Sequence, residues 1–145
     1  MKKTFFLSSV IFAIMAFHST VYTQTVEGIW KTIDDKDGEA TSHIEIVVIE
    51  NELKGKVVKL LQDPEDVLCE LCKGEKHMTP VVGLEVIHGM TKKGDQWRGG
   101  KILDPENGKE YKCKIELEDK DVLKVRGFIG LSVIGRTQRW YRVQP

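Results

Sequence analysis

The sequence predicts an all-β fold, a single barrel of eight antiparallel strands, and three observations lead to it. Residues 110–118 alternate strictly between apolar and charged side chains, which is typical of a strand with one buried face. Seven more short runs are rich in β-branched and aromatic residues, at 26–33, 42–49, 53–61, 81–89, 96–103, 122–129 and 136–143. Most connections are too short for a crossover helix, so neighbouring strands should pair antiparallel. A closed barrel is favoured over a sandwich because closure leaves no free sheet edge.

Composition sets the class of protein. The chain has 145 residues, with 22 Lys and Arg against 22 Asp and Glu, which excludes a polycation that binds nucleic acid through net charge. Hydrophobic residues make up 41% and aromatic residues 8%, as in an ordinary globular domain and unlike a disordered chain.

The amino terminus has the layout of a secretory signal peptide. Lys2 and Lys3 precede an apolar stretch over 5–17, and polar residues follow at 18–20. A helix needs roughly 20 apolar residues to cross a bilayer, so this stretch is too short for a retained anchor. We expect residues 1–23 to be removed and residues 24–145 to form the exported domain, periplasmic or extracellular, with no transmembrane segment.

Turn residues separate the predicted strands at 34–38, 50–51, 92–95, 104–108 and 118–121. The one long connection, 62–80, has helix signals: Asp63 as a cap, Pro64 at the first helical position and Gly74 as a terminator. We expect one short helix in this loop, packed on the barrel through an apolar stripe of Val67, Leu68 and Leu71.

Cys69 and Cys72 form a C-x-x-C pair in the same loop. Export implies an oxidising compartment, so a local disulfide is the first hypothesis, and a bridge from either residue to Cys113 is the competing one. The alternation of its strand places Cys113 on the apolar face. A redox pair is disfavoured because Cys69 lies far from the predicted helix start, and a zinc site with His77 is disfavoured because it lacks a nearby fourth ligand.

No catalytic constellation stands out, and no metal or cofactor is predicted. Ser42 and His43 are adjacent on a strand and so point to opposite faces. Ser132 lacks the second glycine of a nucleophile elbow, and the acidic residues at 34–38 are typical of a hairpin turn. A protein that is not an enzyme is therefore favoured, and an enzyme stays a third hypothesis that has only scattered polar residues behind it.

Two segments carry a resemblance to known families. Gly28-Ile29-Trp30 and the basic strand 136–142 resemble lipocalin-like (calycin) barrels. That resemblance implies that Gly28 and Trp30 close one end of the barrel, with Arg139 over the indole. Segments at 28–32, 69–72, 83–84, 99–111, 125–130 and 135–140 resemble the bacterial exported family known as domain of unknown function 2147, which implies a single lipocalin-like barrel and brings no reaction or ligand.

Two non-enzymatic functions remain open at this point. An eight-stranded barrel either is filled by its own side chains or holds one small ligand. The leading hypothesis is a binding module for a small apolar or amphipathic molecule, with Trp97, Tyr111 and Phe128 contacting it and Arg126 pairing with an acid group. The alternative is an envelope protein with a filled barrel that acts as a structural or protein-interaction module.

Overall fold

The computed structural model describes residues 24–144, so the predicted signal peptide at 1–23 lies outside the described residues. Eight strands form one closed antiparallel barrel in sequence order. They are β1 (Gly28–Ile33), β2 (Ala40–Ile49), β3 (Glu52–Leu60), β4 (Glu85–Lys93), β5 (Gln96–Asp104), β6 (Lys109–Asp119), β7 (Val122–Phe128) and β8 (Gly135–Arg142). The barrel closes where β1 pairs with β8, with Trp30 opposite Arg142 and Lys31 opposite Tyr141. The prediction of a closed eight-stranded antiparallel barrel is confirmed.

The alternation along each strand divides the barrel wall into an inner and an outer face. On β6, Cys113 and Ile115 are buried inside, whereas the alternating residues Lys112 and Lys114 face outward. The same period places Leu123 and Val125 of β7 inside. The inner faces of all eight strands thus share one apolar core.

The two ends of the barrel differ in their connections. At one end, which we call the closed end, two-residue turns join β2 to β3, β4 to β5 and β6 to β7. At the other, which we call the open end, the connections are longer: 34–39, 61–84, 105–108 and 129–134. Fully buried side chains such as Trp30, Ile46, Leu53, Met90 and Leu123 lie towards the closed end. The open end is therefore where the interior is framed by loops.

The predicted helix in the long connection is wrong. The segment 61–84 holds only a single 3₁₀ turn, Gly74–Lys76, and an isolated bridge between Leu68 and Pro80. Its backbone pairs across the loop, because the Cys69 amide donates to the Thr79 carbonyl at 2.8 Å and the Val81 amide donates to the Val67 carbonyl at 2.9 Å. These cross-loop hydrogen bonds use the groups that a helix would need internally. The loop is a narrow folded-back ribbon.

Among the described residues, no helix has the length and apolar character needed to cross a membrane.

Candidate functional site

A cavity of about 750 Å³ opens at the open end of the barrel. Its lining includes buried apolar side chains from six strands: Ile44, Val57, Val86, Leu103, Val125 and Trp140. Ligand pockets in proteins commonly enclose about 300 to 1,000 Å³. The cavity therefore has the volume to hold one small molecule against an apolar floor.

A cluster of hydroxyl groups lines one wall of this cavity, where β1 meets β2. The Thr32 Oγ1 atom lies 2.6 Å from Thr41 Oγ1 and 2.8 Å from Ser42 Oγ. The Ser42 amide also donates to Thr32 Oγ1 at 3.0 Å. Thr32 is buried although it is polar, and this network satisfies its hydroxyl. The cluster gives the wall a polar strip inside an otherwise apolar interior.

A second polar group sits across the mouth, at the turn between β5 and β6. The Asn107 side-chain amide donates to Asp104 Oδ2 at 2.8 Å and to the Tyr111 hydroxyl at 3.1 Å. Asp104 Oδ1 in turn accepts from the Glu106 amide at 3.0 Å, which fixes the turn. These contacts hold the Tyr111 hydroxyl at the mouth, so a bound molecule meets polar groups there and apolar groups below.

The long loop forms the third side of the cavity and is held in place covalently. The sulfur atoms of Cys69 and Cys72 lie at bonding distance as a disulfide, with the Cα atoms 5.4 Å apart, and both residues are buried. Gly108 has a φ of +66°, and a Cβ there would lie 1.8 Å from the Leu71 carbonyl oxygen. Only glycine therefore lets the β5–β6 turn and the disulfide loop pack this closely.

Charged residues cross the rim between β8 and the β1–β2 loop. The Arg136 guanidinium pairs with the Asp35 carboxylate, and both side chains are exposed to solvent. Just inside the rim, the Gln138 side-chain amide donates to the Ile33 carbonyl at 3.3 Å, and its oxygen accepts from Trp140 Nε1 at 3.3 Å. The rim thus carries an accessible cation beside the cavity mouth.

The closed end is covered by Trp30 and Arg142, not by Arg139 as predicted. The Arg142 guanidinium lies 4.2 Å from the Trp30 ring centroid, and it donates to the Glu27 and Thr25 carbonyls at 2.8 and 2.7 Å. A Cβ on Gly28, whose φ is +129°, would lie 2.8 Å from the Arg142 guanidinium. Gly28 and Trp30 thus both lie against the Arg142 guanidinium at this end of the barrel.

Strand register explains why Arg142, and not Arg139, lies over the Trp30 indole. Trp30 is directly opposite Arg142, and residues 140 and 142 share the inward-facing parity of β8. Arg139 has the opposite parity and lies on the outer wall, where its Nε donates to Glu118 Oε2 at 2.6 Å. An odd-numbered residue of β8 cannot reach the indole without a shift of register.

The four residues predicted to bind a ligand do not lie together. Tyr111 lines the cavity, and Phe128 lies at its rim with the Lys114 ammonium 5.5 Å from the ring centroid. Trp97 is buried towards the closed end, close to the two-residue turn that precedes β5. Arg126 faces outward and donates to the Ser132 carbonyl at 2.7 and 2.9 Å. The site therefore brings together two of the four.

Several lining residues were missed by the sequence reasoning. Trp140 at the cavity base, Gln138 above it and the hydroxyls of Thr32 and Ser42 were not named as candidates. The signal for Trp140 and Gln138 was present in the alternation of β8, which puts both on one face. No sequence pattern marked the hydroxyl cluster, because it forms only when β1 and β2 pair.

The third cysteine lies apart from the disulfide. Cys113 is a free thiol on the inner face of β6, as its alternation predicted. Burial raises the pKa of the Cys113 thiol to about 12. Within residues 24–144, no cluster of three or more His, Cys, Asp or Glu side chains is arranged to hold a metal ion.

Comparison with known proteins agrees with this architecture. Protein HP1028 of Helicobacter pylori, described as belonging to the lipocalin family, has a structure similar to this chain at a TM-score of 0.75. The two chains are 16% identical, and the similarity covers 84% of this chain and 85% of the other. A redesigned beta barrel is similar at a TM-score of 0.45 and 17% identity, over 82% of this chain and 91% of the other. No curated protein matches the chain.

The family pattern described as "Uncharacterized protein conserved in bacteria (DUF2147)" matches residues 28–142, which run from the first residue of β1 to the last residue of β8. That match covers the whole barrel. The chain therefore belongs to the bacterial DUF2147 family and folds as a lipocalin-like barrel.

Proposed function

We propose that the protein is a binding module that takes one small amphipathic molecule into the cavity at the open end. The observation that carries this proposal is the cavity itself, about 750 Å³ with a buried apolar floor and an open mouth. Eight-stranded barrels are wide enough to hold one such ligand. Burial of an apolar chain against this floor supplies the driving force, at roughly 25 cal/mol for each Å² removed from water.

The distribution of polar groups supports an amphipathic ligand over a purely apolar one. An apolar tail directed towards Trp140 and Val125 leaves the polar head near the Tyr111 hydroxyl and the Asn107 amide. Arg136 at the rim adds a positive charge, shared with Asp35 in the unliganded protein. A carboxylate on the ligand head would compete with Asp35 for this guanidinium.

The alternative function is a filled barrel that acts only as an interaction module in the cell envelope. It requires the interior to be occupied by side chains, and the open volume above Trp140 favours the binding module.

We also propose that the protein is exported, with residues 1–23 removed as a signal peptide. The apolar stretch at 5–17 and the Cys69–Cys72 disulfide support this location, because disulfides persist in oxidising compartments. Amino-terminal sequencing of the protein from a fractionated bacterial culture checks it. An intact Met1 in the cytoplasmic fraction would contradict export.

Quenching by a dibrominated stearic acid tests the binding proposal, because bromine quenches tryptophan fluorescence only at contact range. We expect saturable quenching with one molecule bound per protein. The matched variants are Trp140→Phe, at the cavity base, and Trp97→Phe, towards the closed end. Trp97→Phe should keep the quenching and Trp140→Phe should lose most of it. Equal quenching in the two variants, or no saturable quenching in the native protein, would overturn the proposal.

A further inference from the structure

The connection between β7 and β8, residues 129–134, exposes an unusual amount of apolar surface beside the cavity mouth. Ile129 is 63% exposed, Leu131 72%, Val133 79% and Ile134 66%. We call this segment the apolar loop. Single exposed apolar residues are ordinary, but a cluster of this kind on one loop is typical of an interaction surface.

The apolar loop is held in its exposed conformation by its own hydrogen bonds. The Ile129 amide donates to the Ile134 carbonyl at 3.1 Å, and the Ile134 amide donates to the Leu131 carbonyl at 3.0 Å. The Arg126 guanidinium donates to the Ser132 carbonyl at 2.7 and 2.9 Å and to Thr137 Oγ1 at 2.8 Å. The backbone is thus pinned to the barrel wall while the apolar side chains project away from it.

The apolar loop itself is uncharged, and positively charged residues flank its base. No charged residue occurs from 127 to 135, but three cations flank the base of the apolar loop on the outer wall: Lys112, Lys114 and Arg126. Cross-strand pairing sets Lys112 opposite Phe128 and Lys114 opposite Arg126. We call these three residues the basic collar.

The basic collar carries uncompensated charge. Among residues 24–144, no carboxylate lies within ion-pair distance of any of its three side chains. The neighbouring carboxylates of β6 are engaged elsewhere, Glu110 with Lys101 at 3.0 Å and Glu116 with Lys124 at 2.7 Å. An exposed apolar tip above cations that have no carboxylate partner is the arrangement by which peripheral proteins hold an anionic bilayer surface.

We propose that the apolar loop docks the protein on an anionic lipid bilayer. The four apolar side chains enter the interfacial region, and the basic collar lies at the level of the lipid headgroups. Ile129 and Ile134 also line the cavity, so the inserted surface is continuous with the interior. Docking in this position turns the mouth towards the membrane, where amphipathic molecules reside. The docking does not depend on cavity binding, so the two proposals fail separately.

Acidic residues on the other three connections of the open end set the orientation. Asp34, Asp63, Glu70 and Glu106 line the cavity from the β1–β2 connection, the long loop and the β5–β6 turn. Anionic lipid repels these carboxylates and attracts the basic collar. The protein therefore tilts so that the apolar loop, and not the disulfide loop, meets the bilayer.

Vesicle co-sedimentation tests the docking, with vesicles of phosphatidylcholine alone and of phosphatidylcholine mixed with phosphatidylglycerol. We expect binding to the mixed vesicles and much weaker binding to the neutral ones. The double variant Leu131→Asp/Val133→Asp should weaken binding about tenfold or more. Ile49→Asp is its control, because Ile49 is 54% exposed at the closed end.

A second pair of variants tests the basic collar. Lys112→Gln/Lys114→Gln removes two charges beside the apolar loop and should weaken binding to the mixed vesicles about 25-fold, since each surface cation contributes roughly fivefold. Lys92→Gln/Lys93→Gln removes the same charge from exposed positions near the closed end and should have little effect. Thermal melts of all variants establish that they fold.

Three results would overturn the docking proposal. The first is no binding of the native protein to phosphatidylglycerol vesicles. The second is equal binding by the apolar-loop variant and the Ile49 control. The third is a dimer in light scattering that Leu131→Asp/Val133→Asp converts to a monomer, since a second copy would then cover the loop.

Discussion

Filling the cavity from within should stabilise the protein while it weakens ligand binding, and Gly127→Leu is the substitution that does so. Gly127 lines the cavity from the inner face of β7. A Cβ there would lie 3.5 Å from Tyr111 Cβ and 3.6 Å from Ile102 Cγ2, which are ordinary van der Waals distances. A leucine side chain at this position therefore enters open space between Tyr111 and Ile102.

The magnitude follows from the area that the new side chain buries. Full burial of a leucine side chain contributes about 1.5 to 3 kcal/mol, and relief of a glycine within a strand contributes about 0.5 to 1 kcal/mol. Because the mouth leaves part of the leucine in water, we expect a gain of about 2 kcal/mol in the free energy of unfolding. The same atoms occupy the place of the ligand, so affinity should fall about tenfold or more, which corresponds to at least about 1.4 kcal/mol.

Urea denaturation measures the stability of this variant, and titration with a dansylated undecanoic acid measures its affinity. Gly127→Ala is the control, because one methyl group adds little volume and should leave the affinity near that of the native protein. If Gly127→Leu lowers the free energy of unfolding, the interior has no room for it. If its affinity for the probe is unchanged, the probe binds somewhere other than the cavity.

Three further predictions follow from contacts elsewhere in the barrel. Arg142→Ala should lower the free energy of unfolding by about 2 to 3 kcal/mol, because it removes the cation over Trp30 and hydrogen bonds to three carbonyls, whereas Arg139→Ala should leave the urea midpoint nearly unchanged. Stability should fall as the pH rises from about 9 towards 12, because burial raises the pKa of Cys113 and only the unfolded thiol then ionises; melts of Cys113→Ala should lack this alkaline component. Hydrogen bonds from His88 and Lys101 lower the pKa of Glu110, so the ionised carboxylate stabilises the fold above its ordinary pKa of 4.5 and this stabilisation is lost on acidification. The urea midpoint of Glu110→Gln should therefore fall less on acidification than that of the native protein. An identical pH dependence of the two midpoints would refute this.

The barrel was predictable because the two-residue alternation of apolar and polar side chains can be recognised within a single strand. The strict alternation over 110–118 identified β6, and short turns at 50–51 and 118–121 fixed antiparallel neighbours. The helix failed for a physical reason: cap signals at Asp63 and Pro64 are local, and pairing of 67–69 with 79–81 outweighed them. Local signals do not report a partner segment further along the chain.

The candidate site was harder to predict because a lining residue must lie near the open end of the barrel as well as point inward. Trp97 and Tyr111 both point inward, yet Trp97 is the second residue of β5, beside a closed-end turn, and Tyr111 is the third residue of β6, beside an open-end turn. Only the second position meets the cavity. The prediction for Arg139 is wrong because Arg142, three positions further along β8 and on the opposite face, is the residue that lies opposite Trp30. Counting residues from each turn would have separated the two ends.

A crystal structure of the protein with the dibrominated stearic acid tests the central claim most directly, because bromine gives an anomalous signal that locates the ligand. The binding account predicts bromine peaks inside the barrel, above Trp140 and within the walls formed by Val125 and Tyr111. Bromine peaks confined to the outer surface, over an interior packed with side chains, would contradict it.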